Sequence, residues 1–171
     1  MSPPRPTRPT TMTTDDIDLI AQVRTIVDAN AYMTIATADA DGTPWASPVW
    51  FAHDDLSAFL WVSRPERRHS ANVAQRPAVG IAIFDSTVPV GDGAAVFAEA
   101  TAHEVSSADL DAAVAVFTAQ SATQGAGTWT AADLSGDAPF RLYRARVDAL
   151  YVLDEHEHRV PVTLDRSRPA W

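Results

Sequence analysis

The sequence predicts a mainly β domain of the α+β class, built as an antiparallel barrel of about six strands with helices packed on its outside. Short β-rich runs separated by turn residues recur along the chain, and only three stretches have helical periodicity. Strands and helices do not alternate regularly, which argues against a parallel sheet. We assign the domain to residues 15–165, between a Pro/Thr-rich tail at 1–14, expected to be flexible, and a short tail at 166–171.

The expected elements follow from hydrophobic periodicity and from the turn residues between the runs. The predicted strands are 31–38, 43–52, 56–63, 78–85, 94–103 and 140–154, the last being one long strand or a bent pair, with 158–164 as a further candidate. The predicted helices are 15–30, 65–75 and 106–120. Asp15 and Asp16 suit the positive start of the first helix. Ser106 or Ser107 would cap the third, and the long loop at 121–138 after it is expected to be functional or mobile.

The second β-rich run differs from the others because it contains two prolines. It follows Asp41-Gly42, a dipeptide typical of a hairpin turn. Pro44 and Pro48 cannot donate ladder hydrogen bonds. This strand is therefore expected at a sheet edge, at a bulge, or with its backbone turned toward a ligand.

The composition excludes several classes of function. The 171 residues carry a formal net charge of −9 and include no cysteine, so disulfides, thiol catalysis and cysteine metal sites are excluded. All 13 basic residues are arginine, which excludes a lysine Schiff base. An acidic surface repels nucleic acid and anionic membranes, and no apolar run approaches the length of about 20 residues that spans a bilayer. The N-terminal stretch lacks the apolar region of a secretory signal, so we expect a cytoplasmic protein that binds small molecules.

Residues 63–75 form the most informative segment, because a short helix is predicted to begin here. Ser63 and Glu66 have the spacing of a capping box. Pro65 at the first helical position would instead place the cap at Arg64. Both alternatives start the helix at this point of the chain.

The first turn of this predicted helix carries Arg64, Arg67 and Arg68, with His69 directly behind. Cations are repelled by the positive end of the helix dipole, so the arrangement needs compensation. Two interpretations remain open. The arginines could form a solvated surface that pairs with carboxylates, or they could hold a phosphate together with the free N–H groups of the first turn.

Other candidate sites have weaker signals. His156 and His158 could supply two imidazoles to a metal, but their polar turn favours a solvated surface. No G-x-S-x-G elbow supports a serine nucleophile, and Gly125–Gly127 lacks the strand-before, helix-after context of a dinucleotide fingerprint. Trp50, in the proline-marked run, and Trp129, in the long loop, are the tryptophans best placed to contact a ligand.

The order of these parts resembles the pyridoxamine-phosphate-oxidase-like family of flavin-binding split barrels. An opening helix precedes "ATADADGTPWASPVWF", a β-rich run ends at Ser63, and the Arg/Arg/His helix is followed by "RPAVGIAIFD". The resemblance is good over 30–103 and looser over 139–163. It implies a split-barrel homodimer whose cofactor lies in a groove at the subunit interface. In that family the cofactor is usually FMN, and in many branches a deazaflavin.

The resemblance also implies a set of cofactor-binding residues. The strand over 47–50 would run along the isoalloxazine ring, and the family's strand-end serine or threonine would match Ser63. Its Arg-Lys phosphate pair would fall on Arg68-His69, with Arg67 adjacent. With Trp129 added from the long loop, the candidate cofactor-binding residues are Ser47, Pro48, Val49, Trp50, Ser63, Arg67, Arg68, His69 and Trp129. No catalytic acid or base and no metal ligand is assigned, because the cofactor would carry the chemistry.

Departures from the family pattern bear on the substrate. The oxidase proper has an arginine and a lysine flanking the flavin strand where this chain has Ser47 and Ala52, and His69 replaces the phosphate-binding lysine. These changes argue against vitamin B6 as substrate, and "SPVWF" resembles branches that include deazaflavin-dependent reductases. The sequence thus predicts a flavin-binding oxidoreductase that transfers a hydride between FMN and a small organic substrate. The alternatives are a deazaflavin-dependent reductase, a non-enzymatic carrier or sensor of flavin or haem, and a structural dimer without a cofactor.

Overall fold

The computed structural model describes residues 13–164, and in this range the chain forms three α-helices and eight β-strands. The helices are α1 (Thr14–Ala29), α2 (Arg68–Gln75) and α3 (Leu110–Thr123), with a short 3₁₀ helix at Ala131–Leu134. The strands are β1 (Tyr32–Ala38), β2 (Pro44–Trp50), β3 (Ala52–Asp54), β4 (Ala58–Ser63), β5 (Ala78–Phe84), β6 (Ala95–Glu104), β7 (Arg141–Leu153) and β8 (Arg159–Pro161). The tail assigned to 166–171, and residues 1–12 of the tail assigned to 1–14, lie outside the described residues.

All strand pairs are antiparallel and belong to one curled sheet. Its strand order is β2-β1-β5-β6-β7-β4-β3, and β8 pairs with β7. The two ends of this order, β2 and β3, are consecutive in the chain and are separated only by Phe51. The sheet therefore curls into a half-barrel, which confirms the predicted class of an antiparallel barrel with flanking helices.

Two apolar clusters lie on opposite faces of the curled sheet. The interior cluster includes Met33, Ile35 and Trp61, and α1 adds Val23 and Val27 to it. The second cluster lies on the outer face of β3, β4 and β7, where α3 packs its buried apolar side chains. Within residues 13–164, α3 also contacts Trp50 at the end of β2, and no helix is packed in this way against the rest of the outer face of β2, β1 and β5.

Helix α1 begins as its sequence predicts. The Thr13 hydroxyl accepts from the Asp16 N–H, and the Asp16 carboxylate accepts from the Thr13 N–H at 3.0 Å. This capping box satisfies two N–H groups that have no partner within the helix. It places Asp15 and Asp16 in the first turn, where the helix dipole favours negative charge.

The run predicted at 43–52 is two strands rather than one, because the chain changes partner at Phe51. The Phe51 N–H donates to the carbonyl of Ala31 beside β1. The next residue, Ala52, instead pairs with Leu60 of β4. The additional strands beyond the predicted six are the three-residue β3 and β8, whereas 140–154 is one long strand whose register with β6 shifts by one residue at Asp148, opposite Glu99 and Ala100.

Two predicted helix starts are wrong. Helix α2 begins at Arg68 with Arg67 as its N-cap, not at Pro65, because the preceding residues form a turn in which the Arg67 N–H donates to the carbonyl of Arg64 at 3.1 Å. The proposed Ser63–Glu66 capping box does not form, since Ser63 ends β4. Neither Ser63 nor Arg64 is the cap.

The start predicted for α3 is wrong for a similar reason. Helix α3 begins at Leu110 with Asp109 as N-cap, because Ser106 and Ser107 belong to a turn closed by the Asp109 N–H and the Ser106 carbonyl. The helix also runs on to Thr123, into the predicted loop at 121–138, which contains the 3₁₀ helix as well. Among the described residues, no helix has both the length and the apolar character needed to cross a bilayer.

Candidate functional site

The candidate site lies where the curled sheet fails to close. We call the gap between β2 and β4 the seam, because these two strands approach each other without pairing. Strand β2 is an edge strand that pairs only with β1, as the two prolines predict, with Thr34 opposite Pro48. Helix α2 follows β4 directly and packs against β1 and β2, so its start lies beside the seam.

His69, in the first turn of α2, joins the two sides of the seam. Its Nε2 lies 2.7 Å from the Ser63 hydroxyl at the end of β4, and its Nδ1 lies 3.2 Å from the Ser47 hydroxyl on β2. Both serines are buried and His69 is partly buried. Ser47, Ser63 and His69 thus form a single hydrogen-bonded group. The three residues are distant in sequence but were assigned to one cofactor site.

We assign the ring proton of neutral His69 to Nε2 from the partners of the two ring nitrogens. The Ser63 hydroxyl has the Arg64 carbonyl as its own acceptor at 3.4 Å, so Ser63 accepts from Nε2–H. Nδ1 then accepts from the Ser47 hydroxyl. Burial, with the charge of Arg67 as a smaller cause, lowers the pKa of His69 below its usual range, and the neutral imidazole is the resting form.

The short Ser63–His69 bond raises the question of nucleophilic catalysis. In a serine triad a carboxylate orients the histidine and stabilises the imidazolium that forms. Here Ser47 occupies that position, and Arg67 disfavours an imidazolium. The group therefore lacks the charge arrangement of a nucleophile and acts as a set of hydrogen-bonding groups.

The start of α2 offers backbone donors that find no acceptor within the described residues. The N-cap residue Arg67 makes no side-chain capping bond, and the N–H groups of Arg68, His69 and Ser70 precede the first intrahelical bond, which the Ala71 N–H donates to Arg67. The Ser70 hydroxyl is buried near the Tyr143 phenol and has no hydrogen bond of normal geometry within residues 13–164. Donors without acceptors at a helix start are a setting for an anion.

The two arginines assigned to the phosphate differ in their surroundings. The Arg68 guanidinium lies 4.5 Å from the Trp45 ring centroid and 3.6 Å from an Asp39 carboxylate oxygen. Arg67 is exposed, and within residues 13–164 its side chain makes no ion pair. Arg67 is therefore the arginine that can reach an anion without giving up another contact.

Helix α2 is tied to the β1–β2 hairpin at three points along its length. Arg68 pairs with Asp39 at the start, the Asn72 side-chain amide donates to the Thr37 hydroxyl at 3.0 Å in the middle, and Arg76 donates to the Ala40 carbonyl at the end. Asn72 is buried, so its bond replaces water that cannot reach it. These contacts hold the start of α2 beside the seam. Arg68, Asn72 and Arg76 are four residues apart, and this spacing is the sequence signal that they share one face of the helix.

The remaining candidates on β2 face in different directions. Val49 is buried in the interior cluster and Pro48 is exposed on the opposite face, as alternation along a strand requires. Trp50 packs edge-on against Phe117 of α3 at 4.9 Å, and its ring N–H donates to the Gln124 side chain.

Trp129 lies in the same outer aromatic cluster, not in the hydrogen-bonded group at the seam. Its ring lies 6.4 Å from Phe117 and 5.8 Å from Phe140, between centroids, and its backbone exchanges hydrogen bonds with the Thr118 hydroxyl. Phe140 in turn lies under the Arg64 guanidinium at 4.6 Å. Arg64 thus connects the α2 turn to this cluster, a contact that the sequence did not predict.

His156 and His158, which could supply two imidazoles to a metal, lie in the β7–β8 turn and contact each other. Their rings stack at a centroid distance of 6.0 Å, and the Asp154 carboxylate accepts from the backbone N–H groups of His156 and His158. Throughout residues 13–164, no group of three or more His, Cys, Asp or Glu side chains is arranged to hold a metal ion.

The family model described as pyridoxamine 5'-phosphate oxidase matches residues 19–154, which include β1 to β7 and the whole seam. The chain belongs to this family. No curated protein matches the chain in a sequence comparison.

Solved structures similar to this family member bind cofactors of different chemical classes, according to their names. A haem-binding protein from Mycobacterium smegmatis has 22% identity and a TM-score of 0.67 over 85% of this chain, which spans 57% of that protein's length. An F420 reductase has 20% identity and a TM-score of 0.54, over 74% of this chain and 94% of its own. A FAD-binding protein from Mesorhizobium loti has 14% identity and a TM-score of 0.59, over 76% and 90%. These likenesses show the fold.

The structure locates Ser47 and Ala52, the two positions at which the sequence was expected to depart from the oxidase proper. Ser47 is hydrogen-bonded to His69 and is not free to contact a substrate. Ala52 is fully buried in the cluster beneath α3, so no side chain at that position of this chain faces the seam.

Proposed function

We propose that the protein is a flavin-binding oxidoreductase that transfers a hydride between FMN and a small organic substrate. The observation that carries this proposal is the set of donors at the start of α2, beside the edge strand β2. Three backbone N–H groups and the exposed residue Arg67 lie at the start of α2, and His69 in the same turn joins Ser63 and Ser47 in one hydrogen-bonded set, called here the serine–histidine group. Such a set suits a phosphate, and the flavin cofactors of the family carry one.

The donor set favours a terminal phosphate. A phosphomonoester presents three terminal oxygens, and the first turn of α2 supplies the N–H groups of Arg68, His69 and Ser70 in addition to Arg67. A phosphodiester, as in a deazaflavin cofactor, presents only two. FMN is therefore the first candidate and a deazaflavin is the alternative.

Strand β2 would carry the ring system. Ala46 and Pro48 are exposed, small, and located on the outer face of this edge strand. Flat, apolar side chains of this kind leave room for a planar ring to lie along the backbone and exclude water from one of its faces. When bound, the flavin would accept or donate the hydride, and the protein would hold and orient it.

A second copy of the chain would complete the site. Apart from Trp50, which lies against α3, the outer face of β1, β2 and β5 is not covered by a helix within residues 13–164, and it exposes Tyr32 and Phe84 at 62% and 51% of their surface. Small residues, Ala36 and Ala46, lie opposite each other on the same face. A flat apolar sheet face next to the candidate site favours a homodimer with the cofactor in contact with both subunits. Light scattering that shows a monomer with bound cofactor would contradict this.

A haem carrier is less well supported by the geometry. A haem needs an axial ligand, and the only histidine in the seam, His69, uses both ring nitrogens in hydrogen bonds to Ser47 and Ser63. Haem binding at this position would break a bond between two buried groups. A flavin phosphate would instead use donors that have no acceptor.

The proposed function is tested by titrating the purified protein with FMN, riboflavin, the deazaflavin and haem, followed by visible spectroscopy. We expect FMN to bind more tightly than riboflavin, which lacks the phosphate. Turnover of reduced FMN with an added electron acceptor would distinguish an enzyme from a carrier. Binding of haem alone, or of none of these compounds, would overturn the proposal.

A further inference from the structure

The serine–histidine group does more than occupy the seam, because it holds β2 and β4 together through one side chain. The two hydrogen bonds of His69 end on strands that make no ladder bonds to each other. All three members are at least partly buried, so each hydrogen bond lost here must be replaced by another partner. A ligand that binds next to His69 must therefore leave these hydrogen bonds in place or supply new partners for them.

The neutral form of the imidazole limits what the serines can offer to a ligand. With Nδ1 as acceptor, the Ser47 hydroxyl has to donate to the ring and is not free for another acceptor. If Nδ1 gains a proton, the ring donates from both nitrogens. The Ser47 oxygen then accepts from the ring, and its O–H can turn toward an anion.

We propose that His69 takes up a proton when a phosphate binds at the start of α2, and that this proton releases the Ser47 hydroxyl as an additional donor to the phosphate. The proton comes from solvent and forms an N–H bond at Nδ1, and no bond between heavy atoms forms or breaks. His69 is thus a positioning residue that makes cofactor affinity depend on pH. This inference rests on the proposed function and specifies how the same site is regulated.

The charged groups around α2 allow His69 to gain a proton when an anion binds. The charged and titratable groups that interact in this region are Glu66 in the preceding turn, Arg67 and Arg68 on α2, Asp39 in the β1–β2 hairpin, Glu104 on β6, and Arg141 and Tyr143 on β7. Asp39 pairs with Arg68 and Glu104 pairs with Arg141, at 3.6 and 3.3 Å. β2 and β4 contribute the hydroxyls of Ser47 and Ser63.

The direction of the effect follows from these charges. Before a phosphate binds, burial and the positive charge of Arg67 lower the pKa of His69. A phosphate at the start of α2 would add two negative charges next to the ring, which favours the imidazolium. FMN affinity should therefore be highest at low pH. Between the pKa of His69 in the free protein and its higher value in the complex, affinity should fall by about tenfold per pH unit.

His69→Gln is the variant that separates the two roles of the side chain, which are hydrogen bonding and proton uptake. A glutamine amide can donate and accept hydrogen bonds, as a neutral imidazole does, but it cannot gain a proton. Its affinity for FMN should therefore lack the histidine-dependent decrease at high pH. His158→Gln is the matched control, because His158 is exposed in the β7–β8 turn and should behave as wild type.

The experiment measures FMN and riboflavin affinity for wild type and both variants from about pH 6 to pH 8.5, with ¹⁵N-histidine NMR of the wild type. The ratio of wild-type to His69→Gln affinity cancels the ionisation of the phosphate itself, near pH 6. We expect this ratio to fall by up to about tenfold per pH unit for FMN and to stay constant for riboflavin, with Nδ1 protonated in the FMN complex.

Other outcomes separate the two proposals. Tight FMN binding with a constant ratio and a neutral His69 would overturn the proton uptake and leave the proposed function intact. Failure of every variant to bind FMN would overturn both. Equal affinities for FMN and riboflavin would show that the phosphate is not held at α2, which also overturns the proton uptake.

Discussion

Arg67 and Arg68 are adjacent in sequence, but the structure predicts different consequences for their removal. Arg67→Ala should weaken FMN binding by about 10- to 100-fold, since a charge-assisted hydrogen bond contributes about 1.5–3 kcal/mol and 1.4 kcal/mol corresponds to a factor of ten. Arg68→Ala should weaken it by less than about tenfold. The reason is that Arg68 must leave Trp45 and Asp39 to reach a phosphate.

The cost of freeing Arg68 can be estimated from its contacts. A guanidinium over an exposed aromatic ring contributes about 0.5–1 kcal/mol, and Arg68 lies 4.5 Å from the Trp45 centroid. The ion pair with Asp39 adds to this. Both contributions must be subtracted from the gain at the phosphate, whereas Arg67 has no such contact to lose.

The stability of the ligand-free protein gives an independent measure. A cation at a helix start costs about 0.3–1 kcal/mol, so its removal alone should stabilise the fold slightly. Arg67→Ala should show this small gain or no change. Arg68→Ala should not, because the lost contacts to Trp45 and Asp39 offset the relief of the dipole interaction.

The assay is a fluorescence titration of FMN and riboflavin with thermal melts of the same variants. Arg24→Ala is the matched control, because Arg24 forms an exposed ion pair with Asp55, at 2.6 Å, and α1 does not contribute to the seam. Riboflavin affinity should be the same for all proteins. The reasoning would be refuted if Arg68→Ala lost as much FMN affinity as Arg67→Ala, or if either variant lost FMN and riboflavin affinity equally.

Three further predictions follow from the same contacts. The free energy of unfolding should fall as the pH is lowered through about 6.5, because a histidine in the unfolded chain binds a proton more tightly than the partly buried His69 does. Denaturant titrations of His69→Gln should therefore show a smaller pH dependence than those of the wild type. In chemical denaturation, Asn72→Ala should lower the free energy of unfolding by about 1–3 kcal/mol, since the buried Thr37 hydroxyl loses its donor. The control Gln75→Ala, on the exposed side of α2, should change it by less than about 0.5 kcal/mol. Pyridoxamine 5'-phosphate should not be oxidised, because the chain has no lysine and Ser47 is engaged by His69; rapid formation of pyridoxal phosphate with oxygen uptake would contradict this.

The strands could be predicted from the sequence because their signals are local. Alternating burial along β1 and β6 follows from alternating residue types, and the turn at Asp41-Gly42 lies between β1 and β2 as expected. The edge position of β2 was also predictable, since Pro44 and Pro48 lack the N–H that a central strand needs.

The start of α2 could not be predicted, because two local signals compete with a distant contact. Ser63 and Glu66 have capping-box spacing, but the Ser63 hydroxyl bonds instead to His69, six residues later. This choice depends on β4 pairing with β7, which places Ser63 opposite Arg141. The division of the run at Phe51 has the same origin, since Ala52 finds its partner on β4 only after the sheet curls.

The site was predictable in residue identity but not in arrangement. The resemblance assigned Ser47, Ser63 and His69 to one place, and the structure joins them by hydrogen bonds. The spacing of four residues places Arg68 on one face of α2 but does not identify its partners, because its pairing with Trp45 and Asp39 depends on how α2 packs across the β1–β2 hairpin. The same packing leaves Arg67 exposed.

The measurement that tests the central claim most directly is a crystal structure of the protein with FMN. The account predicts the phosphate within about 3 Å of the backbone nitrogens of His69 and Ser70 and in contact with Arg67, with the flavin ring along β2. The Ser47 hydroxyl should have turned from Nδ1 toward a phosphate oxygen. A flavin seated elsewhere, or one whose phosphate points away from α2, would contradict the account.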